Sequence, residues 1–297
     1  MAELTQPGTT TTARRPGGVP GRRVGRPRTA PTWLWALPPL AALAVFFLYP
    51  LALVAWQSVS PDAGGRSLAD YGRILTSTAF TAALGNTLWI AVGATLGCLV
   101  LGLALSLVIA FVPFPGGRLA ARLVDVFLSF PSFLITLALL FIYGTTGIIH
   151  AGAFLTTRWS VLLAEVTYFT PFVMRPLLAA FSRTDTALLE AAAGLGAGPL
   201  RIIRRVILPE AWPALAAGGA LVLVLCLNEF GIVLFIGAKG VTTLPVLIYS
   251  KAMLESDYPG ACVIAVVNTA VSVALYALYR VLTSRATALG GGRRAGA

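Results

Sequence analysis

The chain has 297 residues, of which 57% are hydrophobic and only 11% charged, against about 45–50% and about 25% in soluble domains. Water is therefore not its main solvent. The formal net charge of +11 does not imply nucleic acid, because the basic residues stand at the ends of apolar runs instead of gathering on one folded surface.

Residues 1–32 are rich in Thr, Pro, Gly and Arg without an apolar period, which reads as a disordered basic tail. The run after it, WLWALPPLAALAVFFLYPLALVAW, is longer than the roughly 7–15 residues of a signal-peptide core and is not followed by a small-x-small cleavage site. It is the first of six apolar runs, at 33–56, 84–111, 122–143, 159–181, 212–237 and 260–282. A bilayer core about 30 Å thick needs around 20 apolar residues per helix, and a strand barrel would show short alternating segments instead. The expected fold class is an all-α membrane protein of six transmembrane helices, with the span domain over 33–285 and a second disordered tail at 286–297.

Arg14, Arg15, Arg22, Arg23, Arg26 and Arg28 precede the first run, and Arg118 and Arg122 fall between the second and third. Arg183, Arg201, Arg204 and Arg205 lie between the fourth and fifth, and Arg280, Arg285, Arg293 and Arg294 close the chain. The alternate loops hold only Arg66, Arg73, Arg158, Lys239 and Lys251, beside Asp62, Asp70, Glu255 and Asp257. The positive-inside rule then puts both termini in the cytoplasm.

Prolines recur within the runs at Pro38, Pro39, Pro131, Pro171 and Pro176, where a missing donor tends to kink a helix. They suit either a tilted bundle or the lining of a path. Cys98, Cys226 and Cys262 are scattered in apolar runs and read as packing residues, and the one histidine, His150, excludes a multi-histidine metal site. No metal site is expected. Trp33, Trp35, Trp89 and Trp159 fit interface anchoring. A short surface helix carrying Val246, Ile248 and Tyr249 is expected after Pro245.

Two polar features stand out. The stretch LLEAAAGLGAGPLRIIRRVILPEAW, residues 188–212, separates two apolar runs. Asp185 is a suitable N-cap for a helix from Thr186 to Leu195, and Gly196 a left-handed stop. Gly198 and Pro199 open a second short helix, with Arg201, Arg204 and Arg205 on one face and Ile202, Ile203, Val206 and Ile207 on the other, until Pro209 ends the pattern. The second feature is Glu229, inside the fifth run beside Asn228. An acidic residue near mid-span costs roughly 2.5–3.5 kcal/mol on insertion scales, so it faces protein or water. It lines the translocation path or makes an interhelical hydrogen bond, and the sequence does not choose. Glu165 in the fourth run is a weaker path candidate. Asp125, read as lying at a helix start, suits the helix dipole, and Arg175 is available to neutralise an acidic neighbour.

The spacing Glu190, Ala191, Ala192, three residues, Gly196, nine residues, Val206, one residue, Leu208, Pro209 resembles the EAA loop of permease subunits in type I ABC importers, which usually carry Ile where this chain has Val206. That resemblance implies a cytoplasmic coupling helix that docks on a separate ATPase subunit. It also implies a second permease subunit, a second copy or a sister chain, and an external solute-binding protein. No cofactor is then expected on this chain, with ATP and Mg held by the partner ATPase. The absence of a phosphate loop agrees: the only lysines, Lys239 and Lys251, lack the Gly-x-x-x-x-Gly-Lys setting. The stretch from Asn228 to Asn268 further resembles permeases of 2-aminoethylphosphonate importers, relatives of polyamine systems, so the solute is either. A proton-coupled secondary transporter is the competing class, with Glu229 and Glu165 as ion sites. A membrane enzyme lacks a converging catalytic set here.

Overall fold

The computed structural model describes residues 36–59, 68–236 and 241–292, with side chains for 36–59, 71–236 and 241–284. The tail expected at 1–32, Trp33, Trp35 and Lys239 lie outside the described residues. Among the described residues all regular structure is helical. The first described helix is α1 (Leu37–Val59). From Pro50 onward the chain forms one compact unit, which holds every other described helix.

In chain order that unit contains α2 (Leu68–Leu75), α3 (Thr78–Phe111), α4 (Gly117–Phe127), α5 (Phe133–Tyr143), α6 (Gly152–Leu155) and α7 (Arg158–Phe181). It continues with α8 (Thr186–Gly194), α9 (Pro199–Leu227), α10 (Gly231–Ile236), α11 (Leu244–Leu254) and α12 (Tyr258–Gly292). Among the described residues five helices are long and apolar enough to cross a membrane: α1, α3, α7, α9 and α12 as far as Ser284.

The core lies where α3, α7 and α9 meet, around Ala91, Ala94, Cys98, Val161, Val173, Leu177 and Val222. Small residues bring these helices together, because no hydrophobic force drives helix against helix inside lipid and packing must supply the attraction. A Cβ on Gly97 would stand 2.7 Å from Val166, and one on Gly218 would stand 3.1 Å from the Val173 Cα. Cys98 faces the α7 backbone at Val166, so the cysteines at 98 and 226 are buried packing residues as expected.

Contacts fix the relative directions of the helices. Trp89, about three turns into α3, packs edge-on against Trp159 at the start of α7, ring centroids 4.9 Å apart, and Phe111 meets Phe181 at 5.2 Å where both helices end. Helices α3 and α7 are therefore parallel, and the chain from 112 to 157 must climb back the full length of the bundle between them. Helix α9 is antiparallel to α12, because Trp212 within α9 bonds the later Thr283 carbonyl at 3.5 Å whereas Asn228, just past the end of α9, bonds the earlier Ser272.

Several expected boundaries move. The run at 122–143 is not one helix but α4 and α5, broken around Pro131. The carbonyl of Phe130, exposed by the break, accepts a hydrogen bond from the Tyr168 hydroxyl at 2.8 Å. Asp125 consequently sits near the end of α4, not at a helix start, and pairs with Arg175 across 3.6 Å on an exposed surface. The run at 212–237 likewise breaks after Leu227 and resumes at Gly231. Pro209 does not end the helix that Pro199 opens. A wide turn at Ile203–Ile207, in which the Leu208 N–H reaches back five residues to the Ile203 carbonyl, leads into the proline, so one helix runs from Pro199 to Leu227. The helix after Pro245 begins at Leu244 and is less superficial than expected, since Leu244 and Leu247 pack with Phe80, Ala83 and Ile264. The last helix is continuous from Tyr258 to Gly292.

Candidate functional site: an elbow and a paired helix break

The elbow is built by local chemistry. Asp185 accepts a hydrogen bond from the Ala187 N–H at 2.9 Å, satisfying an otherwise orphan donor of the first turn. At the other end of α8, the Gly196 N–H reaches the Ala193 carbonyl at 2.9 Å and the Ala197 N–H the Ala192 carbonyl at 3.1 Å. That is the Schellman pattern, which places Gly196 in the left-handed region, here at φ 79°. Gly198 is the N-cap and Pro199 the first residue of α9.

The elbow leaves apolar side chains uncovered. Leu195 is 90% exposed, Leu200 66% and Leu188 50%, while Glu190, Ala191 and Ala193 are exposed and Ala192 is half-buried. Gly196, Pro199 and Leu200 form an open groove with Arg201, Arg204 and Arg205. The opposite face of α9 anchors it: Ile207 and Ala211 are buried, Val206 and Leu208 half-buried, Pro209 exposed. Among the described residues Glu190 forms no ion pair, so neither Arg204 nor Arg205 is its partner within the chain.

The second site joins the two helix breaks. One Glu229 carboxylate oxygen accepts from the Ile232 N–H at 2.8 Å and from the Ser132 hydroxyl at 3.2 Å, tying the α9–α10 break to the α4–α5 break. The Thr136 hydroxyl reaches the Ile232 carbonyl at 3.4 Å, and Phe133 packs on Phe235. Next to it Asn228 donates to the Val224 carbonyl at 2.9 Å and accepts from Asn268 at 3.1 Å. Glu229 is half-buried and Asn228 exposed, whereas Glu165 is only 1% exposed, inside the α3–α7–α9 core. Glu165 is thus not brought to the surface that Asn228 and Glu229 share. Ser132, Tyr168, Asn268 and Ser272 carry no signal in the sequence, because an isolated hydroxyl or amide has no diagnostic spacing. Pro131, beside Ser132, is the one hint.

Helices interrupted at mid-span occur in membranes where protein or a cavity satisfies the freed backbone, and they recur at substrate sites of transporters. Residues 99–288 match the family described as binding-protein-dependent transport system inner membrane component. The chain belongs to this family. It is the permease subunit of an ABC importer, and the ATPase of such importers is a separate subunit. It is 51% identical over 264 residues to the "Putative 2-aminoethylphosphonate transport system permease protein PhnU" of Salmonella choleraesuis, covering 85% of this chain and 92% of that one. The sulfate transport system permease CysT of Salmonella typhimurium is 31% identical, covering 83% and 90%. The putrescine permease PotI of Escherichia coli is 31% identical over 64% and 68%. A crystal structure of a bacterial ABC transporter involved in alginate import matches with a TM-score of 0.75 at 18% identity, covering 86% of this chain and 95% of that one. At that identity the likeness concerns the fold.

Proposed function

We propose that this chain carries 2-aminoethylphosphonate across the inner membrane, driven through its 185–209 elbow by a separate ATPase that holds ATP and Mg. The observation that carries the coupling role is the continuity of α9: the second arm of the elbow, from Pro199, is the start of a membrane helix, so a push on it is delivered to the span. Glu190, Ala191, Ala192, Gly196, Val206, Leu208 and Pro209 are the coupling residues. Bare alanines permit close seating, the exposed leucines offer apolar area, and Glu190, unpaired within the described chain, is available to a basic group of the ATPase. The solute rests on the 51% identity to the aminoethylphosphonate permease over most of both chains.

Polyamine transport is the second reading, favoured by the putrescine relative and by an acidic group in the path. It is the weaker one, since the putrescine relative is 31% identical over 64% of this chain against 51% over 85% for the aminoethylphosphonate relative. Asn228 and Glu229 form the proposed polar stretch of the path, and Glu165 joins it only if the core opens. The parallel α3 and α7 support a crossing by α4 and α5 together, hence six crossings with both termini cytoplasmic. A solute-binding protein outside and a second permease complete the assembly.

The test is uptake in vesicles holding the chain with its ATPase. Labelled 2-aminoethylphosphonate is expected to accumulate only with ATP, and Gly196→Val, which cannot adopt the left-handed turn, is expected to abolish both uptake and co-purification of the ATPase. Uptake by the chain alone would instead support a secondary transporter, and accumulation of putrescine in place of the phosphonate would support the polyamine reading.

A further inference from the structure

Helices α9 and α12 leave between them an open groove of about 560 Å3, within the range of about 300–1,000 Å3 that ligand sites occupy. Ser272, which Asn228 reaches at 3.4 Å, lines it, but its walls are mainly apolar, with Ala217, Leu221 and Val224 from α9 and Val273 from α12. These four lie within the membrane-spanning windows of the two helices. The small side chain of Ala217 keeps the groove open near the end where Trp212 meets Thr283. At that same end stand Tyr276 and Arg280. Arg280 is exposed, and among the described residues it has no acidic partner.

A guanidinium at the rim of the hydrocarbon layer is costly unless it reaches an anion. Its planar fork of donors matches two oxygens of a phosphate. A groove at this depth fills with lipid unless protein covers it, and basic pockets between membrane helices select acidic headgroups. We propose that the α9–α12 groove binds an anionic phospholipid, its phosphate held by Arg280 and one acyl chain lying along Ala217, Leu221 and Val224. Assignment to the inner leaflet rests on the orientation proposed above, but the binding itself does not. Because α9 is continuous with the elbow, a lipid seated here braces the helix that the ATPase moves.

The test uses the full chain in detergent micelles, native mass spectrometry, and two probes with identical dioleoyl chains, phosphatidylglycerol and phosphatidylcholine. Wild type is expected to retain phosphatidylglycerol preferentially. Arg280→Ala is expected to lower that preference about fivefold, the equivalent of ~1 kcal/mol per basic residue at a membrane surface, while Arg280→Lys keeps most of it. Ala217→Phe, which fills the groove, is expected to lower retention of both lipids at an unchanged melting temperature. Equal retention of the two lipids by wild type, or an Arg280→Ala variant indistinguishable from it, overturns the proposal. So does a Val273→Cys variant that cross-links to a second copy in vesicles, which makes the occupant protein. The assay needs neither ATPase nor solute, so its failure is separate from any failure of the transport reading.

Discussion

At the scale of single residues, Gly196 and Glu229 are held by different physics, and substitutions separate them. A Cβ at Gly196 would meet nothing within 4 Å, yet its φ is +79°, so only the backbone demands glycine. Asparagine tolerates that conformation and branched residues do not. Gly196→Asn is therefore expected to keep most ATP-driven uptake, and Gly196→Val to lose it while the chain still folds, as uptake and melting curves would report. Glu229 is held by hydrogen bonds instead. Glutamine retains an acceptor for the Ile232 N–H and the Ser132 hydroxyl, whereas alanine leaves both donors unmet. Glu229→Ala is expected to cost about 1–3 kcal/mol and Glu229→Gln much less, measured by unfolding in detergent. A Glu229→Gln variant that is stable but impaired in uptake identifies the carboxylate as part of the path.

At the scale of elements, legibility followed the range of the forces involved. The elbow was readable because everything that shapes it is local: an aspartate cap, a glycine two residues past the end of α8, and a proline at the first position of the next helix. The helix breaks were not, because proline alone does not decide them. Pro171 and Pro176 sit within a continuous α7, while Pro131 coincides with a break whose open carbonyl has a distant partner in Tyr168. Only the tertiary fold brings that hydroxyl to that carbonyl. For the same reason Asp125 was placed at the wrong end of its helix. Helix packing yields its own contrast. A side chain at Gly218 collides with the Val173 backbone, which has no rotamer to yield, whereas one at Gly85 enters open space. Gly218→Val is expected to destabilise by about 1–3 kcal/mol through overpacking. Gly85→Ala is expected to be neutral or slightly stabilising, and thermal melts of the two variants would show the difference.

At the scale of the whole molecule, the number of crossings decides on which sides the termini lie, and two independent arguments bear on it. Among the described residues five helices are long enough to cross unaided, and an odd number of crossings would separate the termini. The parallel run of α3 and α7 argues the other way, because their contacts at Trp89 with Trp159 and at Phe111 with Phe181 require the intervening chain to return from one face to the other. Eleven residues of α5 alone reach about 16 Å at 1.5 Å per residue, too short for a core of about 30 Å. The length suffices only if the eleven residues of α4 continue the crossing. The break is tolerable there because Tyr168 and Glu229 engage the polar groups around it. Charge agrees with six crossings, since that count gathers Arg118, Arg122, Arg201, Arg204, Arg205 and Arg280 on one side. A reporter active only in the cytoplasm is therefore expected to be active when fused at either terminus, and inactive when inserted after His150. Activity at one terminus alone would mean that α4 and α5 dip into the membrane and return, and the α3–α7 pairing would then need another explanation.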